Sequence, residues 1–146
     1  MDTLIIDEVP GSDPGLAATL AAAGLPVHDL AEPGRTFFRF TDGDRLAGYI
    51  GWEPLGAGAV LLRSLVVDPG MRGRGLGAVM TRWALDRLGE LGFTDAWALT
   101  TTIEALAVRL GFETVDRAAA PPAIRQSRQF AALCPASAVL LRKAIM

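Results

Sequence analysis

The densest chemical signal in the chain is Asp68-Pro69-Gly70-Met71-Arg72-Gly73-Arg74-Gly75-Leu76-Gly77. It follows an apolar run and precedes a helical pattern. A strand ending at Val67 and a helix beginning near Gly75 or Leu76 leave unpaired backbone N–H groups pointing one way. A helix N-terminus carries partial positive charge and favours phosphate. Gly73, Gly75 and Gly77 remove the Cβ atoms that would hold an anion away, while Arg72 and Arg74 add charge. The spacing is neither of two common phosphate loops. A P-loop ends in Gly-Lys-Ser/Thr, and no lysine is present here. The dinucleotide fingerprint is G-x-G-x-x-G opening a βαβ unit, whereas this stretch reads G-x-G-x-G after antiparallel strands. A plain glycine turn with incidental arginines is the other reading.

Arg63 is the second signal. It interrupts an apolar strand, Val60-Leu61-Leu62-Arg63-Ser64-Leu65-Val66-Val67, where a charge is costly unless paired. It is either half of a structural ion pair with a neighbouring carboxylate, or a fork for a carboxylate or phosphinate-like anion on a substrate. Glu53 ends the preceding strand. Simple alternation puts it on one face with Tyr49 and Ala47, opposite Ile50 and Trp52.

The elements that must position these groups follow from period and punctuation. Leu4 to Val9 reads as a strand, and Asp13-Pro14 as the capped start of a helix that stops at Gly24. Residues 25–35 are punctuated by Pro and Gly and read as loop, with a helical turn near His28 to Ala31. Thr36 to Thr41 and Arg45 to Glu53 form a hairpin around Asp42-Gly43-Asp44. Pro54 to Gly58 turns the chain into Ala59 to Val67. Apolar residues at Leu76, Val79, Met80, Trp83, Ala84 and Leu88 have helical spacing. Ala96 to Thr100 is a strand, and Thr101 with Glu104 resembles a capping box for a helix to Leu110. Glu113 to Arg117 is strand-like, Pro121-Pro122 opens a helix to about Leu133, and Ala138 to Lys143 is a last strand. The order predicts one mixed α+β domain over residues 1–146.

Composition narrows the function classes. The 146 residues carry one cysteine, one histidine and a net charge of −2. Cys134 has no partner for an internal disulfide, which suits a reducing cytosol. One His and one Cys do not make a typical zinc cluster, so no metal is expected. The net charge gives no general attraction to nucleic acid or anionic membrane. The longest uncharged runs, Pro14 to Val27 and Gln129 to Leu141, fall short of the ~20 apolar residues that span a bilayer. The start of the chain lacks the basic region of a signal peptide. A cytoplasmic protein is expected.

Arg72-x-x-Gly75-x-Gly77, placed after Leu65-Val66-Val67-x-Pro69, resembles the acetyl-CoA signature of the GNAT N-acetyltransferases. The strand order and Arg109-Leu110-Gly111-Phe112 at the close of the next helix are similar to that family, so the likeness covers residues 36–117. The resemblance implies a mixed, mostly antiparallel central sheet of about six to seven strands flanked by helices. It also implies direct transfer of acetyl from coenzyme A to the amine of a small molecule. Backbone N–H groups from Arg72 through Gly73, Arg74, Gly75 and Leu76 to Gly77 are then expected to hold the pyrophosphate. Leu65, Val66 and Val67 are expected to hydrogen-bond the pantetheine as an added strand would. Arg109 is expected either to reach the nucleotide end of the cofactor or to be a solvent-facing helix charge.

Glu53 ends the strand that lines the family's substrate cleft and is a candidate base, against the simpler reading of a solvated strand end. Many relatives place a tyrosine where this chain has Ala107, which leaves the acid role unassigned. It also keeps open a non-catalytic coenzyme A-binding module, alongside transfer to a protein amine. Leu99 to Thr102, Ala120 to Arg125 and Phe130 to Ala138 further resemble a GNAT branch of arsenic-resistance N-acetyltransferases. That likeness suggests a subfamily, and the Leu62-Arg63-Ser64-Leu65 context resembles GNATs that act on amino acids, so the acceptor is expected to be an amino acid or amino acid-like toxicant. Cys134 is then either a thiolate-protonating or arsenic-binding group or a buried structural cysteine. Pairing of two copies through C-terminal strands is compatible with the resemblance.

Overall fold

The computed structural model describes residues 4–100, 103–127 and 138–145. The chain runs β1 (Leu4–Val9), α1 (Pro14–Ala22), β2 (Thr36–Asp42), β3 (Arg45–Gly56), β4 (Ala59–Val67), α2 (Leu76–Glu90), β5 (Asp95–Thr100), α3 (Glu104–Arg109), β6 (Glu113–Val115), α4 (Pro122–Arg125) and β7 (Val139–Ala144). The strands form one seven-stranded sheet in the order β1-β2-β3-β4-β5-β7-β6. The β4–β5 pair alone is parallel, because α2 crosses between those two strands; parallel neighbours need such a crossover.

Local chemistry sets the boundaries. Asp13 caps α1, its Oδ2 accepting the Leu16 N–H at 2.9 Å, and Pro14 occupies the first helical turn, where its missing donor costs nothing. The turn expected at Pro54 begins later, because β3 continues to Gly56 with Pro54 opposite Val60. Pairing with β2 ends at Trp52, so Pro54 sits where β3 is paired on one side only, as a strand proline requires. α3 begins at Glu104 with Ile103 at its N-cap and no side-chain cap. The Ile103 N–H instead reaches Thr100 Oγ1 at 3.0 Å. Thr101, Cys134 and the expected helical residues 128–133 lie outside the described residues; the described part of α4 closes at Arg125.

Three apolar layers cover the sheet. Ile50, Trp52, Val60 and Leu62 pack against Leu76, Met80, Ala84 and Leu88 of α2 and Ala107 of α3. Across the sheet, Phe37, Tyr49 and Val66 meet Leu16 and Leu20 of α1 and Leu30 of the following loop. Leu61, Trp97 and Leu140 meet Ala120 and Ile124 further along.

Two irregularities matter for the site. Between β2 and β3 the register shifts as Phe40 pairs Gly48 and Thr41 pairs Leu46. This bulges Ala47 and resets the alternation. Ala47 therefore packs with Ile50 and Trp52 on the α2 side, not with Tyr49 as alternation predicts. Between β3 and β4, Tyr49 pairs Val66 and Gly51 pairs Arg63, so Ser64 and Leu65 together oppose Ile50.

Candidate active site

The β4 bulge opens the sheet. Pairs between β4 and β5 run from Ala59–Asp95 to Leu62–Ala98 and then stop, although β4 continues to Val67 and β5 to Thr100. Ser64 holds the bulge in the left-handed region, φ 60°, a conformation that costs a non-glycine residue of order 1–3 kcal/mol. A bulge bends and twists its strand, and here the two strands part directly beyond it. Edge backbone groups of Arg63 to Val67 thus face a gap instead of a neighbouring strand. A pocket of about 80 Å³ fills the split, lined among others by Leu62, Ser64, Leu65, Ala98, Thr100 and Ala107.

The glycine stretch lies at the open end of this gap. Asp68 Oδ2 accepts the Gly70 N–H at 3.1 Å and starts a short 3-10 turn, Pro69–Met71. Gly73 (φ 81°) and Gly75 (φ 72°) then take left-handed conformations with nothing within 4 Å of a would-be Cβ. Gly75 is the N-cap of α2 and supplies no side-chain acceptor. The first intrahelical bond runs from the Val79 N–H to the Gly75 carbonyl at 3.1 Å, so the N–H groups of Leu76, Gly77 and Ala78 have no helical partner. At Gly77 a Cβ would stand 3.1 Å from Leu106 Cδ2, a tight contact that the Leu106 side chain would have to relieve by a few tenths of an ångström. A second pocket of about 230 Å³ is lined by Val67, Arg72, Gly73, Gly75, Leu76, Gly77, Ala78, Leu106 and Arg109, with Met71 beneath. Arg72, Arg74 and Arg109 are exposed and make no ion pair among the described residues.

Most of the expected binding residues therefore converge. Arg72, Gly73, Gly75, Leu76, Gly77, Val67 and Arg109 share one pocket, and Leu65 lines the adjoining split. Arg74 lines neither, and the Val66 side chain turns away into the layer under α1. A pyrophosphate fits this cradle by its chemistry: free N–H donors, the two cations Arg72 and Arg109 at its rim, and glycines at 73 and 75 that put no Cβ in the way.

On the α1 side of the split, Arg63 is engaged within the chain. Its Nη1 and Nη2 donate to Asp29 Oδ2 and Oδ1 at 2.5 and 2.6 Å, a bidentate fork. The fork expected for an acceptor anion thus holds a carboxylate of the protein, the ion-pair reading of this strand charge. Nη1 also reaches Glu53 Oε1 at 3.3 Å, and Nε reaches Ser64 Oγ at 3.2 Å. Arg35 closes the ring, its Nη2 3.2 Å from Asp29 Oδ2 and 3.5 Å from Glu53 Oε2. Asp29, Glu53 and Arg63 are all buried, and a third carboxylate, the partly exposed Glu32, lies 3.7 Å from Arg35 Nη2. Burial pushes the Asp29 carboxyl upward, but hydrogen bonds and charge from Arg63, then from Arg35, outweigh it and leave its pKa below the ordinary 3.8.

Asp29 was not singled out by the sequence. Its signal was indirect: Arg63 demanded a carboxylate, and several acidic residues could have answered. Tyr49 faces elsewhere, its hydroxyl against the first turn of α1, 2.9 Å from a would-be Cβ on Gly15. Burial, with a contribution from Asp13 and opposed by Arg39, raises that hydroxyl above 10.0.

The model of the acetyltransferase (GNAT) family matches residues 8–112, and the chain belongs to that family. Among solved structures, it is similar to N-acetylglutamate synthase from Neisseria gonorrhoeae complexed with coenzyme A and N-acetyl-glutamate. That likeness has a TM-score of 0.78 and 18% identity over 99% of this chain and 35% of that one, so the chain spans about a third of that enzyme. A GNAT-family acetyltransferase from Staphylococcus aureus Mu50 gives 0.75 and 15% identity, covering 99% of this chain and 100% of that one. A Mycobacterium tuberculosis protein in complex with coenzyme A gives 0.74 and 16% identity, covering 97% and 99%. These TM-scores establish a shared fold. Nothing among curated proteins matches significantly. Among the described residues no cluster of His, Cys, Asp and Glu is suited to a metal ion, and no helix is long and apolar enough to cross a membrane.

Proposed function

We propose that the protein is an N-acetyltransferase that uses acetyl-CoA and an amine on a small molecule. The observation that carries this reading is the continuity of two binding features. The split between β4 and β5 opens directly onto the glycine-headed N-terminus of α2. A strand edge with free backbone groups accepts an extended amide-bearing arm as a sheet accepts a strand, and the helix N-terminus accepts the phosphates.

In this reading the Leu76, Gly77 and Ala78 N–H groups hold the pyrophosphate, with Arg72 and Arg109 at its rim. The backbone of Leu65 to Val67 aligns the pantetheine. Coenzyme A supplies the activated acyl group as a thioester. A backbone N–H at the edge of the bulge is a donor for the thioester oxygen, a role commonly worth about 3–4 kcal/mol. Asp29 and Arg63 fix the wall of the split beside Ser64 and are positioning residues. Glu53 is the carboxylate we assign to the amine proton, acting through water. Ala107 offers no proton, so solvent returns one to the departing thiolate.

An amino acid or amino acid-like toxicant as acceptor rests on the resemblance of Leu99 to Thr102, Ala120 to Arg125 and Phe130 to Ala138 to the arsenic-resistance branch. A panel of amino acids, phosphinate and arsenical analogues, and lysine-bearing peptides tests the assignment by thiol release from acetyl-CoA. Turnover with a small amine supports it, and turnover confined to peptides moves the acceptor to protein amines. The second reading, a coenzyme A-binding module without chemistry, is favoured by Ala107 and by the engagement of Glu53 with Arg63 and Arg35. Tight binding with no thiol release over the panel would establish it.

A further inference from the structure

The pocket in the split is deeper than the split itself. Leu62 and Ala98 form the last β4–β5 pair, and both belong to the apolar layer under α2 and α3. Beyond them the same pocket continues to Ala107 and Phe112, both buried in that layer. The polar residues of the lining are Arg63, Ser64, Thr81 and Thr100, and the rest is apolar; the Thr81 hydroxyl is already satisfied by the Gly77 carbonyl at 2.8 Å. Ala98 and Ala107 contribute only a methyl group each, and the unfilled volume lies beside them. Walls facing an unfilled apolar space lose dispersion contacts, and each methylene placed there is removed from water.

We infer that this extension receives the tail of an acyl group longer than acetyl, so that propionyl and butyryl thioesters are donors as well. The inference rests on the coenzyme A reading above and names the donor class of the same site. The reaction balances identically for each chain length. The amine nitrogen bonds to the acyl carbon, the C–S bond breaks, and the displaced amine proton accompanies the free thiol. Ala107 is then a specificity-determining residue for the donor.

The test is a titration series of coenzyme A, acetyl-, propionyl- and butyryl-CoA against the full chain by calorimetry. Affinity is expected to rise about fourfold per methylene from acetyl to butyryl, and A107F is expected to abolish that rise. If coenzyme A binds but the thioesters show a flat or falling series, the inference is overturned while the cofactor reading stands. If coenzyme A itself fails to bind, both fall. Because A107F adds volume to a packed layer, its melting is followed in parallel, and A98V provides a second, smaller filling. The wild-type series decides the question on its own.

Discussion

Asp29 and Arg63, 34 residues apart, form a buried bidentate pair with contacts of 2.5 and 2.6 Å, and through it an irregular loop is clamped onto the bulged strand that opens the sheet. Removing one partner leaves the other charge buried and uncompensated. D29A is therefore expected to lose about 3–5 kcal/mol of stability, read by urea unfolding. The double variant D29L/R63M removes both charges and is expected to recover most of that loss. A D29A chain as stable as wild type would show that the clamp contributes nothing.

The same pair sets an acid limit. The folded pKa of Asp29 lies below its ordinary 3.8. Its contribution is thus present above 3.8 and is lost as pH falls through the lower folded value. The stability difference between wild type and D29N should hold from neutral pH down to about 3.8 and shrink from there as pH falls through the folded value. A difference that instead vanished as pH rose would contradict this sign.

How much of this was legible in the sequence differs by element. The glycine stretch announced the cradle because left-handed glycines and a strand-to-helix turn leave a composition signature, and the apolar period of Leu76 to Leu88 set α2 behind it. Arg63 announced only that a partner existed. Which acid answered depends on how the 25–35 loop folds back on the sheet, a long-range fact that local pattern does not encode. Ala47 shows the same limit: strand alternation is a rule of period two, and one bulged residue reverses every face beyond it. The opening of the sheet at Leu62–Ala98 was likewise invisible, since it arises from the Ser64–Leu65 bulge and not from a break in hydropathy.

The rim charges make a separate prediction. Arg72 and Arg109 line the pocket at the start of α2 and are exposed, so each acts through a screened field. R72A and R109A are each expected to weaken coenzyme A about two- to fivefold and to flatten its salt dependence, measured by titration at several ionic strengths. An unchanged salt dependence in both variants would remove them from the site.

Glu53 is tested by splitting the kinetic constants. E53Q keeps the shape of the side chain and a hydrogen bond to Arg63 while losing the proton acceptor. Its kcat is expected to fall about 100-fold at nearly unchanged KM for acetyl-CoA. A variant that loses only stability, with kcat intact, would confine Glu53 to the ion-pair ring.

In the proposed function the glycine-headed helix and the split form one coenzyme A site, and calorimetric titration of coenzyme A into wild type and G75V is the test. Gly75 has φ 72°, a conformation costing a residue with a Cβ roughly 1–2 kcal/mol, and its replacement redirects the N–H groups that follow. Wild type is expected to bind saturably and one-to-one, and a folded G75V to bind at least about tenfold more weakly. Absence of binding by wild type, or equal affinity in the two proteins, would contradict it.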